Sequence, residues 1–162
     1  MKLGIQAGFF MQNIKEFMAG DHRHCDDFFV AVEREVARGA WALAFSAFSK
    51  FQDAMLRHFS AEESLLFPAF EQRTGMYMGP TQVMRGEHVQ LRELMVAACE
   101  ALVTQDADAY LGDAETLLIM MQQHNMKEEN VLYPMCDQQL LDQIDTLLPS
   151  LQDAILEVEQ RK

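Results

Sequence analysis

His58-Phe-Ser-Ala-Glu62-Glu63-Ser-Leu-Leu-Phe67-Pro68 is written a second time as His124-Asn-Met-Lys-Glu128-Glu129-Asn-Val-Leu-Tyr133-Pro134. Both stretches read H-x3-E-E-x2-L-[FY]-P, and the second lies 66 residues after the first. The same step of 66 carries His22 onto His88, and each of these is preceded by an acid, Asp21 and Glu87. The chain therefore reads as one unit written twice. Each unit supplies a lone His and then a His–Glu pair one helical turn apart, which points to a metal site assembled from two halves.

The totals fit that reading. A length of 162 residues suits one domain, 1–162, with a real core. Asp plus Glu number 25 against 13 Lys plus Arg, a net charge of −12. So acidic a surface argues against nucleic acid and against anionic membranes as partners. Cys25, Cys99 and Cys136 are an odd set without a close pair, which excludes a disulfide framework and a thiolate zinc or iron–sulfur site. No apolar run is long enough for a signal peptide or a membrane span, so a cytoplasmic protein is expected. The 12 methionines suit core filling better than a copper site.

Along the chain, Met1 to Gly20 reads as a short N-terminal arm, with Ile14, Phe17 and Met18 at helical spacing. Asp21 is predicted to cap a helix whose apolar stripe is Cys25, Phe29, Val32 and Val36, ending near Gly39. Trp41 to Phe67 is a second, longer helix with Phe51, Met55, His58, Glu62 and Leu65 on one stripe. Thr74 to Pro80 is the clearest loop and the seam between the copies. Beyond it the pattern returns: His88, Leu91, Met95, Ala98 and Leu102, then, from Ala109 to Tyr133, Leu117, Met121, His124, Glu128 and Val131. No stretch alternates as a strand does. The predicted fold is all-α: an antiparallel up-and-down four-helix bundle, core about 21–137, with a C-terminal helical extension over 138–162 that supplies one or two helices or a dimer contact.

The chemistry follows from helical geometry. Residues i and i+4 share a face, so His58/Glu62 and His124/Glu128 each approach one site, and both pairs lie on the apolar stripe. A buried carboxylate is costly unless paired or bound to a cation. Imidazole terminates on one ion whereas carboxylate bridges two, so His22, His58, His88, His124, Glu62 and Glu128 suit two metals sharing both glutamates. A His and carboxylate set without thiolate favours iron, then manganese or zinc. It leaves open positions for oxo, hydroxide, O2 or NO. His24 falls about 200° round the helix from His22. Its repeat partner is Gln90, so it is set aside as a ligand. Glu63 and Glu129, about 100° off the stripe, read as surface charge at a helix end. Cys25 reads as a buried, inert thiol.

At these residues the chain resembles the hemerythrin-like family, the HHE cation-binding domain. The resemblance spans roughly Asp21 to Asp137 and is carried by Asp21-His22-Arg23, His58-x3-Glu62, Glu87-His88 and His124-x3-Glu128. It implies a four-helix bundle around a non-haem di-iron centre, oxo- or hydroxo-bridged. Its terminal ligands would be His22, His58, His88 and His124, with Glu62 and Glu128 bridging. Oxygen-carrying hemerythrins have a further His four residues along the third helix, where this chain has Arg92, and Met84 on the other side of His88. Four His in place of five imply a more symmetric, more open centre. That moves the expectation from a simple O2 carrier towards proteins that sense or react with O2, NO or peroxide. Di-iron proteins of iron–sulfur cluster repair also use four His and two Glu, but they carry an extra N-terminal domain with an adjacent cysteine pair. This chain has 21 residues before His22 and no such pair.

The expected function is binding of O2, NO or peroxide for oxygen binding, sensing or redox chemistry, by a monomer or homodimer. The alternatives are a repair or NO- or peroxide-reducing enzyme, and an iron-storage or structural metal-binding bundle. The six ligands would be the same in each, so the sequence leaves the choice, and whether the chain is an enzyme, open.

Overall fold

The computed structural model describes residues 12–156. Within them the chain forms helices α1 (Ile14–Ala37), α2 (Trp41–Ala61), α3 (Phe67–Thr74), α4 (Pro80–Val103), α5 (Ala107–Lys127), α6 (Tyr133–Gln139) and α7 (Ile144–Ile155), and no strand. Short connections force consecutive rods to run antiparallel, and α1 pairs with α2 as α4 pairs with α5. The all-α bundle expected from the periodicity is present.

Its boundaries have local causes. Asn13, not Asp21, caps α1: its side chain accepts a hydrogen bond from the Glu16 amide at 2.7 Å. The apolar residues Ile14, Phe17 and Met18 thus belong to α1 itself and are buried, while the rest of the expected N-terminal arm, residues 1–11, lies outside the described residues. Asp137 reaches back from α6 to take the free amides of Ile14 and Lys15 at 2.8 and 3.2 Å. At the seam, Gly75 ends α3 with φ 74°, a left-handed conformation open to glycine, and Pro80 opens α4. Asp106 caps α5 through the Ala109 amide, so this helix starts at Ala107, two residues before the predicted Ala109.

The second helix does not stop at Phe67. A π turn over Glu62–Leu66 joins α2 to α3, and a second over Glu128–Leu132 joins α5 to α6. Each wide turn accommodates one residue more than an α-helix would, and this corrects the predicted stripe. The register moves on by one: Leu66 and Leu132 are buried in place of Leu65 and Val131, and Val131 is 53 % exposed.

Among the described residues two apolar clusters fill the bundle. One, around Phe29, Phe48, Phe51, Leu91 and Leu117, occupies the loop end of the hairpins. The other gathers Met18, Leu66, Phe67, Phe70 and Tyr133 under α7, whose Leu147, Leu148, Leu151 and Ile155 close that end. The tail therefore adds a short 3-10 turn (Leu141–Gln143) and one helix with Pro149 inside it, and this helix packs on α2 rather than standing free. Among the described residues no helix is long and apolar enough to cross a membrane.

Candidate metal centre

Among the described residues, ten buried polar or charged side chains interrupt the core, and six of them are His22, His58, Glu62, His88, His124 and Glu128. α1, α2, α4 and α5 each bring a histidine inward, and the two π turns each begin at the inward glutamate. Glu62 turns Oε1 to His58 Nε2 at 3.5 Å and Oε2 to His88 Nε2 at 3.1 Å. Glu128 turns Oε2 to His22 Nε2 and Oε1 to His124 Nε2, both at 3.1 Å. Each carboxylate thus gives one oxygen to each histidine pair. His24 is exposed, edge-on to Phe28, and takes no part.

Every ring is held from behind. The Nδ1 atoms of His22, His58, His88 and His124 bond to Glu129 (2.7 Å), Asp21 (2.8 Å), Glu63 (2.7 Å) and Glu87 (2.9 Å). A carboxylate on Nδ1 fixes the proton there and leaves the Nε2 lone pair facing the centre. This corrects the reading of Glu63 and Glu129 as surface charge. In the π turn they swing to the neighbouring helix, where they meet the lone histidine of the other half. Asp21 and Glu87 instead reach the paired histidine of their own half. Arg92 grips Glu63 with both guanidinium nitrogens at 2.9 and 3.1 Å, and Lys127 holds Glu87.

The electrostatics record a dense charge set. Burial alone would depress His58, but Glu62 and Asp21 beside it hold its pKa well above the ordinary histidine value. Burial likewise opposes the charged form of His22 and His124, and Glu128 reverses it in both. Burial pushes Glu62 and Glu128 up. The histidines nonetheless bring them below the usual carboxylate range, most strongly Glu62 beside His58 and His88. Burial pushes the Cys25 thiol up, in keeping with an inert thiol.

The donor set fits a cation. His22 and His58 bring their Nε2 atoms within 3.1 Å of each other, an approach of two lone pairs that a positive charge between them relieves. Glu62 Oε2, Glu128 Oε1, His88 Nε2 and His124 Nε2 are buried and make no hydrogen bond. Among the described residues two groups could hold an ion, Glu62/His88/His124/Glu128 and His22/His58/Glu128, and Glu128 belongs to both.

Sequence reasoning missed Tyr133, whose hydroxyl lies 2.6 Å from Glu62 Oε1 and 2.8 Å from Glu128 Oε2. The signal was in the motif, where the repeat writes Phe67 once and Tyr133 once.

No curated protein and no solved structure matched the chain in the comparisons. A family model did: the hemerythrin HHE cation binding domain matches residues 13–136, from the cap of α1 to α6. That span holds all six inward donors and the four carboxylates behind them, and the chain belongs to the hemerythrin HHE cation-binding domain family.

Proposed function

We propose that the chain is a non-haem di-iron protein of the cytoplasm that binds O2 or a related small ligand, NO or peroxide, for oxygen binding, sensing or redox chemistry. The observation that carries this reading is the sharing of Glu128 by two donor groups, one on each side of it. His22 and His58 would hold one ion and His88 and His124 the other, with Glu62 and Glu128 spanning both. Thiolate is absent from the set, which favours iron over softer choices. Bound there, a pair of irons supplies open coordination positions and accessible electrons.

The protein's share is orientation and dryness. Asp21, Glu63, Glu87 and Glu129 fix the imidazoles. Phe59 stacks on His88 at 4.1 Å between ring centroids, and Phe67 lies against it at 5.8 Å. The apolar clusters above and below exclude water from the donors, which favours an uncharged diatomic over hydrated anions. Metal analysis of the purified protein, with absorption spectra of the reduced form before and after O2, tests the reading. Two irons per chain and an O2-dependent spectrum are expected. A spectrum that reverses when O2 is removed marks a carrier or sensor, and bleaching to the oxidised form marks redox chemistry. Zinc, or no metal in a folded chain, would sink it in favour of a structural bundle.

A further inference from the structure

Resting on the two-metal reading, we propose that Tyr133 is a fifth protein donor to the ion held by His22 and His58. The phenol oxygen binds directly, so the two metal positions of this chain are chemically unlike.

The Tyr133 oxygen lies 2.6 Å from Glu62 Oε1, 2.8 Å from Glu128 Oε2 and 3.2 Å from Nε2 of both His22 and His58. One atom thus reaches the four donor atoms of that half. Among those four, His22 to His58 is 3.1 Å, His58 to Glu62 is 3.5 Å and His22 to Glu128 is 3.1 Å. Donors bound at about 2.0–2.2 Å and at right angles on one ion lie about 3 Å apart. The tyrosine oxygen has that spacing from all three members of the group His22, His58 and Glu128.

In the metal-free chain the one phenol proton serves Glu62 or Glu128, and His22 Nε2 reaches Glu128 Oε2 at 3.1 Å. An ion that displaces the imidazole protons leaves the fully buried phenol oxygen facing a cation instead. A cation held by His22, His58 and Glu128 would take the phenol oxygen as a further ligand. The other half offers a control, because the equivalent residue is Phe67, which turns an apolar ring to His88 at an interplanar angle of 19°. The donor group with three members is also the one that Tyr133 completes, while the group with four faces Phe67. Tyr133 would bind as the phenolate: its one proton would be exchanged for the ion and pass to solvent, and no electron would change hands.

The test uses the full chain loaded with ferric iron, as wild type, Tyr133→Phe and Phe67→Tyr. The readouts are iron per chain, the visible tyrosinate-to-ferric charge-transfer absorption and the resonance-enhanced ring vibrations of a bound tyrosinate. We expect the wild type to show both spectroscopic signatures and Tyr133→Phe to lose them while keeping its iron. Phe67→Tyr should add a second tyrosinate contribution, which keeps the test decisive if Tyr133→Phe does not fold. A wild type with two irons and no tyrosinate signature, or a signature unchanged in Tyr133→Phe, overturns the proposal alone. A wild type that takes up fewer than two metal ions overturns the two-metal reading and the proposal with it.

Discussion

The carboxylate of Glu63 accepts a hydrogen bond from Nδ1 of His88 at 2.7 Å while Arg92 grips both its oxygens from outside. Arg92 stands four residues beyond His88, one turn along α4, and supplies no donor to the centre; it anchors the carboxylate that aims one. Removing such a partner loosens the metal without removing a ligand. Glu63→Ala should weaken binding at the His88 position by about 10–100-fold, and Glu129→Ala should do the same at His22. Competition against a calibrated chelator reads both, and unchanged affinity in either variant would contradict the assigned role.

Glu62 and Glu128 each face both histidine pairs, so neither can be lost from one half alone. Glu62→Ala and Glu128→Ala should abolish the two-metal centre, whereas His24→Ala, on the exposed face, should keep the full complement. Metal per chain after gel filtration decides this. Loss of metal from His24→Ala with retention in His22→Ala would mean that the wrong face of α1 has been assigned.

The pH response should reverse between the metal-free and loaded protein. The raised pKa values of His22, His58 and His124 contribute stability to the metal-free chain that is full below about pH 6.5 and lost as pH rises through the elevated folded values. The lowered values of Glu62 and Glu128 contribute stability present above about pH 4.3 and lost as pH falls through the depressed ones. Metal competes with those imidazole protons, so its affinity climbs over the alkaline side of the window in which the metal-free chain weakens. Thermal melts of the chelated and loaded forms from pH 5 to 9 should slope in opposite directions.

α7 is a lid on the lower core and carries no donor. Leu151, fully buried there, should cost about 2–5 kcal/mol when cut to Ala, with metal stoichiometry unchanged. Denaturant unfolding of the loaded protein gives the first quantity and metal analysis the second. A loss of metal at full stability would show that the helix does more than close the end.

The bundle and the positions of His22, His58, His88 and His124 on its inner faces were legible because both follow from α-helical period and an internal repeat. What went astray did so where the period changes. Leu65 and Val131 fit an α-helical stripe, but the π turns bury Leu66 and Leu132 instead. Those same turns carry Glu63 and Glu129 to neighbouring helices, so an angle counted at 100° per residue put them on the surface. Asp21 has the chemistry of a cap, and only the packing of α1 on α2 reveals that it serves His58. Tyr133 was hidden because aromatic residues beside a core stripe nearly always fill space.

The two π turns also make the centre reciprocal. Each begins at a glutamate 66 residues from its twin, and each amounts to one residue inserted into a helix. The same insertion at the same place sends Glu63 of the first half to His88 of the second, and Glu129 of the second half to His22 of the first. Neither half can therefore aim its own lone histidine, and each depends on its twin for that. A single chain that carries both halves need not keep them alike: Phe67 against Tyr133, and Asp26 against Arg92, are two of the places where they differ.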